Sequence, residues 1–508
     1  MSRKKLYLIG VDSAPLWLLK RLSKLEGMSG FGEFLHEGVL TELESTLPPV
    51  TAAAWPSIYS GLQPAAHGVI DFLFIDRNYT RQLIYFNSKE APPFWELLVD
   101  RGIKSLIVTP PMVFDSTVSP NVDLITGWPL RPKFSNRRLE AAAKKHGFSG
   151  DPEIGVQLDA KELPLSKGVR KYSRSIKARA EMSKELISKG NYDLIFVCFT
   201  ETDRIQHYAL SNPNAMEYMT PIYREVSKFT EWLIDYTKKN DEESLVMLVS
   251  DHGAQPVANK FLPNAFLINK GYAKFNSTAE KRFEKEPEGN GAEVKRRLSE
   301  AVMKLGFRRA VYNKLPAGVK DAAERFISNS LEKVDEGYMK MYETDLDMKN
   351  TKAFSAVSYG PVGMIWMNDS RFSKPGVAGV ESKRLKKKIM QELNRIRCED
   401  GNLAIKQVYD GTKYYAGLNT LILPDILFEL RRGYIVDFGY YSRDRLFMKP
   451  ELGRSGDHTR QGVIGVISND KSIKRHTLKL QEPSVVNIAP TILEYFGYGH
   501  GFKKQSLV

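Results

Sequence analysis

Short apolar runs recur along the chain, and three of them stop at or just before a carboxylate. Leu6-Tyr7-Leu8-Ile9-Gly10-Val11 leads to Asp12, Leu194-Ile195-Phe196-Val197-Cys198-Phe199 precedes Asp203 and His207, and Leu245-Val246-Met247-Leu248-Val249-Ser250 ends at Asp251-His252. Runs of this length read as buried strands. Between them the apolar spacing becomes helical, as at Ile176, Ala180, Ser183 and Ile187 with intervals of 4, 3 and 4. The same pattern predicts helices over 16–25, 33–37, 92–100, 137–145 and 221–238 and a strand over 104–108. Strand, helix, strand in alternation predicts an α/β fold, a doubly wound and mostly parallel sheet with helices on both faces. In such a sheet the strand ends share one edge, and ligands bind there.

The pattern changes beyond Tyr272. Residues 273–350 are rich in Lys, Arg and Glu, with helical patches at 293–305 and 319–331. They read either as a helical insertion near the active-site edge or as a surface excursion, and they divide the core into 1–272 and 351–508. Strands resume with Val362-Gly363-Met364-Ile365-Trp366-Met367, followed by an amphipathic helix marked by Leu385, Ile389, Leu393 and Ile396. Strands are predicted at 424–428 and 462–468, with His458 in a loop between them. A last helix over 485–496 meets Gly497, a suitable C-terminal cap.

Composition narrows the class. Of 508 residues 42% are hydrophobic, as in ordinary globular proteins, and no apolar run approaches the roughly 18 residues of a membrane span. No transmembrane segment is expected. The basic start Met1-Ser2-Arg3-Lys4-Lys5 is followed by only a short apolar stretch, which reads as a strand rather than a secretion signal and suggests a cytoplasmic protein. Two cysteines, Cys198 and Cys398, rule out a disulfide framework and a thiolate-rich zinc site. The net charge of +14 suits an anionic substrate or a polyanion such as nucleic acid or anionic lipid, and equally a lysine-rich solvated exterior.

The chemistry centres on Pro48-Pro49-Val50-Thr51-Ala52-Ala53-Ala54-Trp55. The prolines favour extended backbone and the small residues can open a helix, so Thr51 would sit where free N–H groups and the helix dipole welcome an oxyanion. It is the candidate nucleophile, and also a plausible N-cap. A threonine hydroxyl needs a base, a lowered pKa or a metal to react. Asp12, the i,i+4 pair Asp203 and His207, and Asp251-His252 offer metal ligands. Each has a plainer reading: Asp12 as a helix cap, Asp203 and His207 as a surface pair, Asp251-His252-Gly253 as a turn.

Taken together, Gly10-Val11-Asp12, the Thr51 segment with Gly61 and His67-Gly68, Thr202 to His207, Ser250-Asp251-His252-Gly253 and Gly456-Asp457-His458 resemble the type I phosphodiesterase and nucleotide pyrophosphatase family of the alkaline phosphatase superfamily. The resemblance implies an alkaline-phosphatase-like fold and two divalent metals, zinc first and manganese or another divalent ion next. It implies that Asp12, Asp251, His252 and the Thr51 oxygen hold one metal and Asp203, His207 and His458 the other. A small phosphorylated substrate would be cut at a phosphodiester or pyrophosphate bond through a phosphothreonine on Thr51. One departure stands out: nucleotide-hydrolysing animal members carry asparagine three residues after the threonine, where this chain has Ala54. Backbone N–H groups at Thr51 or Ala52 are the expected substitutes for its amide, and Tyr359 is another candidate to reach the substrate. No Cys-x-Pro-x-Arg run occurs, which argues against the sulfatase branch. The alternatives are a phosphomonoesterase or phosphotransferase on the same core and a noncatalytic polyanion-binding protein.

Overall fold

The computed structural model describes residues 4–84, 86, 90–150, 165–285, 345–357, 360–417, 422–438, 445–450, 455–470, 473, 482–498 and 506–507. At its centre is a seven-stranded sheet in the order Val39–Glu44, Gln461–Ser468, Ser244–Val249, Lys5–Val11, Leu194–Phe199, Ser105–Val108, Val122–Ile125. Neighbours pair in parallel except at Gln461–Ser468, which runs antiparallel to both flanking strands. The three apolar runs that end in carboxylates occupy adjacent central positions, so their C-terminal ends open on one edge.

Alternation along these strands builds two cores. Leu6, Leu8, Phe196, Cys198, Met247 and Val249 face one side, against the helices Thr51–Ser60 and Ile488–Tyr495. Tyr7, Ile9, Val197, Phe199, Val246 and Leu248 face the other, against Leu16–Leu22, Ser29–His36, Leu165–Lys189 and Ala215–Asn240. Strands buried on both faces read as continuous apolar runs, which is why they stand out in the sequence.

A four-stranded antiparallel sheet follows in the order Ala353–Phe354, Val362–Met367, Ile426–Leu430, Ile405–Asp410. Its Ile365, Ile426 and Phe428 pack with Ile389 and Leu393 of the helix Gly379–Leu393, while Met364, Trp366 and Leu427 join the first core. A three-stranded sheet, Tyr434–Val436, Asn259–Phe261, Phe447–Met448, lies beside it in the chain. Both are spliced into a two-stranded ribbon, Gly253–Pro256 paired antiparallel with Gly456–Thr459.

Several expectations shift. His458 lies on a strand and not in a loop: Gly456-Asp457-His458-Thr459 has no apolar alternation, and its pairing comes from a partner two hundred positions away in the chain. The helix expected from 221 starts at Ala215 and runs through Pro221. Proline removes one N–H, and burial of Met219, Ile222 and Tyr223 holds the turn together around it. The last helix opens as a 3₁₀ turn, Val485–Asn487, before Ile488–Tyr495. Of the 273–350 segment, the helix Ser277–Lys285 and a bridge between Phe275 and Leu346 are described. The patches at 293–305 and 319–331 lie outside the described residues, as does Tyr359.

Candidate active site

Thr51 is the first residue of the ten-residue helix Thr51–Ser60, and Val50 occupies the cap position. The Thr51 hydroxyl therefore makes no cap. It donates towards Asp12 Oδ1 at 3.5 Å and lies 3.3 Å from His252 Nε2. Ala53 and Ala54 return their N–H groups to the Val50 carbonyl, while those of Thr51 and Ala52 lie ahead of the first intrahelical bond, at the positive end of the helix. The helix approaches the sheet closely because of Gly10: a Cβ there would come within 2.7 Å of the Trp55 ring and 2.8 Å of Cys198 Sγ. That contact brings the Trp55 indole N–H to 3.2 Å from Asp12 Oδ2.

Asp12, Asp251 and His252 form one group. His252 Nε2 lies 3.2 Å from Asp251 Oδ2 and 3.6 Å from Asp12 Oδ1. Asp203, His207 and His458 form another, with His207 Nε2 3.2 Å from Asp203 Oδ2 and 3.2 Å from His458 Nε2, and His458 Nε2 3.4 Å from Asp203 Oδ1. The two groups touch. The ligand atoms of Asp203, His207 and His458 lie within 4.8 Å of one another, and so do those of Asp12, Asp203 and His252. Asp203 thus belongs to the neighbourhood of both, where the resemblance had assigned it to one.

The donor chemistry fits divalent cations. His207 Nδ1 meets the Gly456 carbonyl at 2.9 Å and His252 Nδ1 meets the Gly253 carbonyl at 3.2 Å. A ring that donates from Nδ1 presents a lone pair at Nε2, the atom each histidine turns towards the carboxylates. Asp203 Oδ1, Asp251 Oδ2 and His458 Nδ1 are buried and make no hydrogen bond. Buried polar atoms in that state are costly unless something else satisfies them. Burial, together with the charges of Asp251 and Asp203, holds the Asp12 carboxyl well above its usual range. Burial pushes Asp251 up to about 8, against the hydrogen bond from the Ser13 N–H. Burial alone would raise Asp203 too, but His207 and His458 outweigh it and hold that carboxyl well below the usual range. Burial and the neighbouring His458 hold His252 well down.

The helix Glu201–Ala209 carries Asp203 and His207. The ribbon lies against it because Gly456 has no side chain, where a Cβ would meet the Gln206 carbonyl at 2.2 Å. This brings His458 over His207, with ring centroids 5.0 Å apart. The helix start is clamped by Arg179, fully buried, whose guanidinium donates to Glu201 Oε2 at 3.0 Å, to Glu201 Oε1 at 3.1 Å and to the Cys198 carbonyl at 2.9 Å. Sequence reasoning passed over Arg179. The signal was present: an arginine between Ile176 and Ser183 sits inside the apolar stripe of its own helix. The Trp55 indole is a second omission, with no local signature.

His67 and His146 are engaged away from the clusters. His67 Nε2 pairs with Ser57 Oγ at 2.9 Å and its Nδ1 accepts from the Val69 N–H, and burial lowers this ring to about 3. His146 meets Glu185. Among the described residues no helix is long and apolar enough to cross a membrane.

The sequence model of the type I phosphodiesterase / nucleotide pyrophosphatase family matches residues 6–436. The fold is similar to that of phosphonoacetate hydrolase from Sinorhizobium meliloti 1021 in complex with phosphonoformate, with a TM-score of 0.52 and 12% identity over 96% of this chain and 94% of that one. The same enzyme in complex with phosphonoacetate gives a TM-score of 0.51 and 13% identity over the same shares. No curated protein matches the sequence.

Proposed function

The chain belongs to the type I phosphodiesterase/nucleotide pyrophosphatase family, and on that premise we propose that it hydrolyses phosphodiester or pyrophosphate bonds with Thr51 as nucleophile and two divalent cations beside it. The observation that carries this reading is the Thr51 hydroxyl, placed at a helix start 3.3 Å from His252 Nε2 and 3.5 Å from Asp12 Oδ1. Asp12, Asp251, His252 and Thr51 Oγ1 would hold one cation and Asp203, His207 and His458 the other. Mixed nitrogen and oxygen donors without thiolate suit zinc first and manganese next. When bound, such cations ease ionisation of the hydroxyl and neutralise charge on the phosphoryl and leaving oxygens.

Thr51 Oγ1 attacks phosphorus, its proton passing to solvent and being matched by the proton that the departing oxygen takes up. The bond to the leaving oxygen breaks and the phosphoryl group stays on Thr51 as an ester. Water then attacks the same phosphorus and restores the hydroxyl. The N–H groups of Thr51 and Ala52, at the positive end of their helix, face the charge that builds on a phosphoryl oxygen and supply the role that Ala54 cannot. Such a site takes a small phosphorylated substrate.

Acid quenching during turnover of bis(p-nitrophenyl) phosphate, followed by peptide mass spectrometry, should find a phosphoryl adduct on Thr51. Thr51→Ala should abolish the adduct and lower turnover by about three orders of magnitude or more. Near-normal turnover by Thr51→Ala would overturn the nucleophile. A higher kcat/KM on p-nitrophenyl phosphate than on the diester would move the reading to a phosphomonoesterase or phosphotransferase.

A further inference from the structure

Along the helix Glu201–Ala209 two i,i+4 pairs interleave, one residue apart. Asp203 and His207 face the ligand cluster. Thr202 and Gln206, both buried, face the chain that leaves the Lys5–Val11 strand. Thr202 Oγ1 donates to the Asp12 carbonyl at 2.7 Å, and Gln206 Nε2 donates to the Ser13 carbonyl at 2.5 Å. Gln206 Nε2 also reaches the Thr202 carbonyl at 3.1 Å, and two carbonyl acceptors leave only one orientation of the amide.

Ser13 is the junction. Its φ of 58° is left-handed, uncommon for a residue with a side chain. In that conformation its carbonyl accepts from Gln206 while its N–H reaches Asp251 Oδ1 at 3.2 Å. One short turn therefore ties the helix of Asp203 and His207 to both carboxylates of the other cluster. The anchors on the helix lie four residues apart, about 6 Å along its axis. A single bond would leave the helix free to pivot, whereas two bonds so spaced fix both its shift and its tilt.

We propose that Thr202 and Gln206 are positioning residues that set the spacing between the two cation sites, through the Asp12 and Ser13 carbonyls. This inference rests on the two-cation reading above. An in-line displacement needs two cations roughly 3.5–4 Å apart, so a small movement of this helix would mismatch the attacking and leaving oxygens without emptying either site.

The test uses Thr202→Val, Gln206→Met and the double variant, with Thr202→Ser as the conservative control. After loading with Mn²⁺, two bound ions per chain should remain by elemental analysis, and the electron paramagnetic resonance spectrum should show altered exchange coupling between them. Turnover should fall about 10–100-fold, the range for groups that orient metal ligands, with KM little changed. Thr202→Ser should restore both coupling and kcat. Unchanged coupling in folded variants overturns the proposal, and so does a loss of kcat that Thr202→Ser fails to restore. If the double variant does not fold, Thr202→Val against Thr202→Ser decides in the same way. The coupling requires no substrate, so a wild-type protein without diesterase activity would sink the functional reading and leave this measurement standing.

Discussion

Asp12, Asp251 and His252 are enclosed at 1% exposure or less, whereas Asp203, His207 and His458 keep an open side, with the Asp203 side chain 14% exposed. The enclosed cluster sets two carboxylates against one histidine, and burial raises both carboxyls. The open cluster sets one carboxylate between two histidines, and that carboxyl is held low. A cation entering the enclosed cluster must displace protons, while one entering the open cluster meets a carboxylate already ionised. The two clusters should therefore answer differently to mutation, pH and metal supply.

The sharpest separation comes from removing a ligand on each side. Asp251→Asn and His207→Ala should each leave one cation per chain instead of two by elemental analysis, with turnover down about 100-fold or more, beyond what orienting groups usually cost. Loss of both cations from either variant would break the comparison, since the clusters would then fill as one.

Arg179 tests the open cluster through its support. Arg179→Met strands the buried Glu201 carboxylate and should cost about 3–5 kcal/mol in urea unfolding. Equilibrium dialysis of the folded variant should show weaker binding of one cation only.

The pH response separates the clusters next. The Asp251 carboxyl titrates near 8 in the folded chain and near 4 when unfolded. Between those values the unfolded chain has lost a proton that the folded chain keeps, so the metal-free protein should lose stability as pH rises from about 4 to about 8. Asp203 works in the opposite sense: its contribution is present above about 4 and fades as pH falls towards its depressed value. Thermal melts of chelated protein should fall by roughly a few °C between pH 5 and 8. Loading with Zn²⁺ should remove most of that decline. A flat profile for chelated protein would contradict the raised carboxyls.

The smallest effect belongs to Trp55→Phe, which removes one donor from Asp12 Oδ2. Loss of a hydrogen bond to a charged group costs about 1.5–3 kcal/mol at most, so titration calorimetry should show weaker binding at the enclosed site, by about tenfold or somewhat more.

The central sheet was legible because its strands are buried on both faces and run apolar to their last residue, so Asp12 and Asp251 mark strand ends unaided. The start of the Thr51 helix was legible from Pro48-Pro49. That the hydroxyl is not its cap was not, since either rotation of Thr51 satisfies the same local pattern. His458 was misread as a loop residue because four polar and small residues become a strand only when Gly253–Pro256 lies alongside. Pro221 suggested a helix start because local rules see the missing N–H and not the buried neighbours that hold the turn. Contacts from Trp55 to Asp12 and from Gln206 to Ser13 join residues far apart in the chain, and no period records them.

The ribbon of Gly253–Pro256 and Gly456–Thr459 acts as a ruler with a gap cut into it. His252 stands at the head of one strand and His458 on the other, and their rings come to 3.9 Å between centroids. A slip of one rung would turn His458 outward and present Thr459 in its place, because successive side chains on a strand point to opposite faces. The intervening chain, with its two smaller sheets, leaves and rejoins between those rungs. Met364, Trp366 and Leu427 tie it into the first core, so its freedom to vary lies away from those contacts, and changes made there would leave the spacing of the rungs, and of the cage around Thr51, untouched.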